Sequence, residues 1–454
     1  MNIMVQVAMF GWPIAVFGLF FVLPPRRAVL AAVILGWMFL PVAEIKLGAG
    51  LPTYNKLMAV SLSAFLGVLV FDGRRVLSFQ PGWIDLPMLV WCLCPMAASF
   101  SNDLGAHDAF SALFYKVSFW GLPYLLGRLY CSTLLGLAEL AKAIFLGGLL
   151  YVPFCLYEIR MSPQLHAKLY GYLQHEFGQT IRYGGYRPMV FMNHGIMVAT
   201  WMAMSVLAGL ALWRSGNLRR IGRVKVSWLL GGLLLTTVLC KSLGALVLLA
   251  IGAGMLWLCR VAPSRAVFIV LALVAPLYLA IRIPKVFSAK DLKEASSLVG
   301  EDRSGSLKFR LLNEDFLVDK AFRRPLFGWG LWGRARIHDA MGRDITVTDS
   351  LWIIELGNEG FLGLFGMLTV FLIPLYGLLR VLPNPDTWKH PFAAPAICCG
   401  VMVLLFLIDC LFNDMNNPAY VLAIGGLSRL RLGAIRKRTP KPVAVEGMTW
   451  APRS

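Results

Sequence analysis

Three short stretches of this chain hold charged and hydrogen-bonding residues close enough together to act jointly. In the first, Arg182, Tyr183, Gly184, Gly185, Tyr186, Arg187 and Pro188 run in sequence, with Asn193 and His194 a few residues on. Guanidinium groups bind phosphate oxygens bidentately and never lose their charge. Glycines let the backbone come close to a ligand, and tyrosines can stack on sugar rings. The same arginines would also suit lipid headgroups, and His194 alone would serve as a hydrogen-bonded histidine at a membrane surface. In the second stretch, Lys241, Ser242 and Gly244 lie between two apolar runs that leave almost no room for a loop. That lysine either snorkels to the membrane surface or caps a bend facing an anionic group.

The third stretch opens with Thr348, Asp349, Ser350 and Trp352 and continues to Glu355, Asn358, Glu359 and Gly360. Asp349 and Ser350 are good helix N-caps, and capping alone could account for them. Glu355 and Glu359, spaced i, i+4, share one helix face up to about two turns inside an apolar run. An ionisable group in a membrane span costs roughly 2.5–3.5 kcal/mol at the centre and less near the ends, so it usually faces a cavity or a partner. Asp409, inside another apolar run, and Asp414 just after it are of the same kind. Soluble-enzyme signatures are absent: there is no phosphate-binding Walker loop, dinucleotide fingerprint, HExxH or GxSxG.

The elements that must hold these residues are membrane helices. Of the 454 residues, 58% are hydrophobic and 15% charged, and the mean hydropathy is +0.68. Soluble domains carry about 45–50% apolar and about 25% charged residues. The net charge of +19 raises nucleic-acid binding, but placement argues against it. The basic residues cluster in short gaps between apolar runs, at Arg26 and Arg27, Arg74 and Arg75, Arg214 to Lys225, and Arg429 to Lys441. That is the pattern that sets topology in a membrane protein. The nine cysteines lie mainly in apolar runs without zinc or thioredoxin spacing, and neither a metal nor a cofactor is expected.

A bilayer core of about 30 Å takes about 17–25 apolar residues in helix. Such runs occur near 4–23, 28–43, 56–71, 84–100, 109–127, 138–157, 189–213, 226–240, 243–259, 266–281, 351–379, 392–411 and 415–428. The fold class expected is an all-α polytopic integral membrane protein of about 12–13 transmembrane helices. With no charge before Arg26, the first run reads as a retained span rather than a signal peptide. About six helices occupy 1–157, an external loop 158–188, further helices 189–281, a large external loop 282–348, the last three spans 349–428, and a basic tail 429–454. Placing the N-terminus outside puts the short basic gaps, and Arg128, on the cytoplasmic side with the C-terminus. The large loop carries thirteen Lys/Arg against nine Asp/Glu, which long translocated segments tolerate. Within it, Ser306 to Arg324 reads as a helix lying on the membrane face or a small packed unit. Pro325 and Gly328 end that helix, and a glycine-permitted turn places Trp329 and Trp332 near the interface.

In this order the pieces resemble the O-antigen ligase and polymerase family of bacterial envelope glycan assembly. The likeness covers roughly 180–380 and rests on RYGGYRP followed by NHG, on KSLGAL, and on Arg310 with PLFGWG, TDSLW and ELGNEGFLGL. The resemblance implies transfer of an undecaprenyl-diphosphate-linked glycan at the periplasmic face of the bacterial inner membrane, without a nucleotide sugar. It also implies Arg182, Arg187, Lys241 and Arg310 as diphosphate contacts and Asp349 as the acceptor-side polar group or base. Glu355 and Glu359 would support them, Glu355 close to the chemistry, and His194 would line the substrate site. Two departures matter. The family's S-R-G-A segment reads Ser242, Leu243, Gly244, Ala245 here, and Asp349 stands where the ligases carry a histidine. The missing histidine favours a polymerase of O-antigen, capsule or exopolysaccharide over a ligase. Partners implied are the lipid-linked oligosaccharide, membrane lipids, and a chain-length regulator and flippase of the same pathway. The other classes the residues allow are a lipid-linked glycan flippase or other secondary transporter, and a non-catalytic assembly partner.

Overall fold

A computed structural model describes residues 2–48, 52–286 and 301–432, with side chains in the third segment from Arg310 onward. Every apolar run found in the sequence contains a helix. The first six are α1 (Ile3–Val22), α2 (Pro25–Phe39), α3 (Lys56–Leu77), α4 (Leu86–Ser101), the rod α5–α6 and α7 (Leu134–Met161). In that rod, α5 (Gly105–Lys116) and α6 (Leu122–Tyr130) are joined by a wide π turn over Val117–Gly121. After the short α8 (Leu165–Tyr170) come α9 (Gly195–Arg214), α10 (Val226–Leu239), α11 (Leu243–Val261) and α12 (Arg265–Arg282). The last group is α13 (Glu301–Ala321), α14 (Leu351–Val381), α15 (Ala394–Asp409) and α16 (Pro418–Ser428). Strands are confined, among the described residues, to two-residue pairs: β1 (Glu44–Ile45) with β2 (Tyr54–Asn55), β3 (Ile181–Arg182) with β4 (Gly185–Tyr186), and β5 (Arg220–Ile221) with β6 (Val224–Lys225).

The protein is an all-α polytopic membrane protein. Among the described residues, eight helices are long and apolar enough to cross a bilayer, and α10, α15 and α16 are shorter apolar ones. At 11 residues, α16 rises only about 16 Å against a core of about 30 Å. It has no need to reach across lipid, because every one of its residues is buried against protein. Helix α9 is likewise apolar on all sides and enclosed, which places it at the centre of the bundle. All nine cysteines are buried and free.

Side-chain contacts sort the connections onto two ends. At one end Arg27 pairs with Glu139 (3.2 Å), Arg128 with Asp85 (2.6 Å), Arg429 donates to the Gln80 carbonyl (2.7 Å) and Arg265 Nε to the Pro383 carbonyl (3.0 Å). These are the short basic gaps of the sequence, gathered together. At the other end the Asn2 side-chain amide donates to the Leu169 carbonyl (2.9 Å), and the Asn102 side-chain amide to the Gly328 carbonyl (3.0 Å). The long connections therefore share the end opposite the basic gaps.

One boundary differs from the sequence reading, and one of the two placements it left open for Ser306 to Arg324 is favoured. The span expected from 189 begins at Gly195, because His194 occupies the N-cap in extended backbone and accepts the Ile196 amide through Nδ1 (3.0 Å). Helix α13 docks on protein instead of lying only on the bilayer face. Arg282, 2% exposed, pairs with Glu314 and Asp315 at 3.1 Å each, and Leu311, Leu317, Val318 and Ala321 are buried. The tail beyond residue 432 lies outside the described residues.

Candidate functional site

The first stretch folds into a tight hairpin. Ile181 pairs with Tyr186 and Arg182 with Gly185, leaving Tyr183 and Gly184 as a two-residue turn, both at positive φ. Lys241, itself at φ 52° in the turn between α10 and α11, donates Nζ to the Arg182 and Tyr183 carbonyls (3.1 and 3.2 Å). Gly185 makes room for it: a Cβ there would stand 2.3 Å from the ammonium. Lys241 is thus a clamp that fastens the hairpin to the bundle.

Arg187 crosses the face of Gly195, where a Cβ would meet its side chain at 2.4 Å, and donates Nη2 to the Lys241 carbonyl (3.1 Å). It is 8% exposed, its Nε has no acceptor, and it forms no ion pair among the described residues. Burial, and then the neighbouring Arg182 charge, lower its pKa from the ordinary value. The His194 imidazole is brought down to about 4, first by burial and then by the charges of His175, Arg187, Arg182 and Arg310. Four positions singled out in the sequence, three from the first stretch and Arg310 from the large loop, therefore lie near one another. Arg310 also reaches Asp349 (3.4 Å), which sits in a crevice with Ser350, Ile353 and Phe412. Ser350 is the N-cap residue of α14 by backbone, but its hydroxyl meets Glu314 (3.3 Å) rather than a helix amide.

The second part of the site is a cavity of about 370 Å³ whose walls come from the long-loop end of the bundle. Glu355 and Glu359, on one face of α14 as their spacing implied, meet Lys116 of α5. The ammonium donates to Glu355 Oε1 and Oε2 (2.8 and 2.7 Å) and to Glu359 Oε1 (2.8 Å). Trp91 Nε1 donates to Glu355 Oε2 (2.7 Å), and its ring centre lies 4.4 Å from the ammonium. Lys116 and both glutamates are at most 4% exposed. Lys56 also lines the cavity, buried, with its ammonium on the Phe191 carbonyl (2.7 Å). Asn55, Asn193, Asn358 and Asn416 add amides, and Tyr115, Phe119, Trp120 and Trp332 add rings.

Asp414, in the link between α15 and α16, projects into the same cavity. Its side chain is open to solvent within the cavity. Burial and the Glu355 charge, opposed by Lys116, push its carboxyl up to about 6.

Helix α14 reaches the cavity through a break. Gly360 has φ 67° and ψ −161°, and the regular bonds from Phe361 and Leu362 back to Gly357 and Asn358 are replaced. Phe361 and Leu362 donate instead to the Pro325 and Leu326 carbonyls (2.7 and 3.3 Å). In exchange, Trp329 and Gly330 donate to the Gly357 and Asn358 carbonyls (2.9 Å each). A Cβ on Gly328 or Gly360 would stand 2.5 Å from the opposing backbone. The PLFGWG and NEGFLG segments are the two halves of one joint, and the break leaves Glu355 and Glu359 on the cavity wall.

The sequence reading located both glutamates and the basic residues but missed Lys116 and Lys56. Lys56 opens an apolar run and Lys116 lies inside one, and neither carries a motif. The one signal available was that a lysine within a span requires an anionic partner elsewhere in the membrane. No group of three or more His, Cys, Asp or Glu is placed to hold a metal among the described residues. No family model and no curated protein matches the chain.

Proposed function

We propose that the protein transfers a polyprenyl-diphosphate-linked glycan, polymerising repeat units of an envelope polysaccharide at the outer face of the bacterial inner membrane. The observation that carries this reading is Arg187, a buried guanidinium without an acidic partner among the described residues, with the Arg182 and Arg310 charges also close to His194. A buried unpaired charge costs several kcal/mol, and a diphosphate supplies the missing anion. Fixed cations where negative charge develops on the leaving group are a main source of rate. The cavity, with carboxylates, amides and aromatic faces, has the chemistry of a sugar site, and its volume lies within the roughly 300–1,000 Å³ of small-molecule sites. In this reading the long-loop end is periplasmic, the N-terminus lies with it, and the basic gaps face the cytoplasm.

A second reading draws on a different observation. A membrane helix broken at Gly360, opposite a π turn that follows a buried lysine, is also the way transporters build sites at mid-membrane. A lipid-linked glycan flippase would use the same cations for binding alone. Purified protein in liposomes, given labelled undecaprenyl-diphosphate-linked repeat units accessible on the outer leaflet, separates the two. Growth of polymer that is lost in Arg187→Ala supports transfer. Movement of label between leaflets without polymer supports the flippase.

A further inference from the structure

The carboxylates near the cavity differ in how far they are already committed. Glu355 has both oxygens bonded to Lys116, with Trp91 on one of them, and Glu359 gives Oε1 to Lys116. Asp349 lies in a separate crevice against Arg310. Asp414 has no hydrogen bond or ion pair within the protein among the described residues, so its lone pairs are open to whatever enters the cavity. The chain on either side of it is nevertheless held. Leu351 donates its amide to Cys410 O (3.0 Å) and Asn413 O (3.4 Å), the Asn413 side chain donates to Asp409 (2.7 Å), and Asn417 caps α16 through Ala419 (3.0 Å). Two residues on, the Asn416 side-chain oxygen is buried at the cavity wall without a donor.

We infer that the cavity is the subsite for the acceptor sugar and that Asp414 takes the proton from its attacking hydroxyl, an assignment that rests on the glycosyl-transfer reading above. A general base must be free, within hydrogen-bond reach of the hydroxyl, and titrate near the working pH. The groups whose charge or hydroxyl faces it are Glu355 on α14, Lys116 and Tyr115 on α5, and Cys410 on its own link. Tyr115 and Phe119 stack with ring centres 3.9 Å apart, and Trp332 meets Tyr115 edge-on at 5.7 Å, half exposed. These rings offer faces to the C–H side of a pyranose while Asn416 accepts from its hydroxyls. In the step itself the acceptor oxygen bonds to the anomeric carbon of the donor as its proton passes to Asp414. The bond from that carbon to the diphosphate oxygen breaks, and the diphosphate leaves with the electron pair.

The test is a rate–pH profile of polymer formation by the reconstituted full chain, wild type against Asp414→Asn, Asp414→Glu and Glu44→Gln, with folding checked by size exclusion. Glu44 is the other solvent-reached carboxylate of the cavity. The wild-type rate should fall on the acid side of about pH 6 as Asp414 becomes protonated. Asp414→Asn should lower kcat by about 10²–10⁴-fold with little change in acceptor KM and no acid limb, and Asp414→Glu should restore part of the rate. Wild-type polymerisation with an Asp414→Asn variant that keeps its kcat and acid limb overturns the assignment and leaves the transfer reading standing. Loss of the limb in Glu44→Gln instead also overturns it. A wild-type protein that makes no polymer at any pH removes both.

Discussion

Replacing Lys116 with methionine isolates the energetics of the buried charge cluster. The side chain keeps its length and apolar stem but loses the ammonium that bonds three carboxylate oxygens. Glu355 and Glu359 then face each other on α14 with only the Trp91 N–H as a donor from outside the pair. Removing one partner of a buried ion pair costs roughly 3–5 kcal/mol, because the remaining charge is left without compensation. The cation–π contact at 4.4 Å adds up to about 2 kcal/mol for a desolvated pair. A loss of about 3–5 kcal/mol is therefore expected for Lys116→Met, the upper end applying if the ring contact adds to the pair. The triple variant Lys116→Met, Glu355→Gln, Glu359→Gln removes all three charges and should recover most of that loss, since neutral replacement of a whole buried ion pair is often close to neutral. Unfolding of purified protein by SDS in mixed micelles, followed by tryptophan fluorescence, reads both numbers. The reasoning is refuted if Lys116→Met unfolds at the wild-type SDS fraction, or if the triple variant is no more stable than the single one.

Gly360→Ala should sharply reduce the yield of monodisperse protein, because its backbone lies where L residues are strained and its Cβ would strike Pro325 and Leu326. Gly231→Ala, inside α10 with nothing within 4 Å, should be neutral or stabilising by up to about 1 kcal/mol, and comparative size-exclusion profiles check both. His194 should remain neutral down to about pH 4, which a histidine carbon-13 titration shows by the signal that disappears in His194→Gln. Its folded value lies below the unfolded value of about 6.5. Its contribution to stability is therefore complete above pH 6.5 and is lost as the pH falls towards 4. His194→Gln should accordingly narrow the difference in melting temperature between pH 7 and pH 4.5. His166, held at about 4 chiefly by burial, accounts for part of the remaining difference.

The helices were legible because lipid imposes a local rule: each apolar run must close its own backbone hydrogen bonds. Even α16, too short to cross lipid, could be read, because apolar residues cover it on all sides. The short basic gaps also declared which connections share an end. Within the site, Glu355 and Glu359 were legible for the same local reason, since an acid in an apolar run requires a partner. The identity of that partner was not legible. Lys116 is 239 residues from Glu355, and no periodicity connects α5 to α14. Likewise RYGGYRP showed its arginines but not their division of labour. Lys241 fastens the hairpin, Arg187 has no ion pair among the described residues, and Gly185 of RYGG and Gly195 of NHG make room for the side chains of Lys241 and Arg187. The PLFGWG and NEGFLG segments each read as a turn or a flexible spot. Only their pairing shows that each supplies the hydrogen bonds the other lacks.

That pairing has a bearing on biogenesis. Pro325 to Gly330 precede α14 in the chain, so the ribosome delivers them before the broken helix emerges. Entering hydrocarbon alone, α14 would carry two bare carbonyls at Gly357 and Asn358 and two bare amides at Phe361 and Leu362, at several kcal/mol apiece. With the preceding segment already made, those groups find their partners as the helix arrives. The order of synthesis thus provides hydrogen-bond partners for the break before it meets lipid, with residues 325–330 as the template for the helix that follows them.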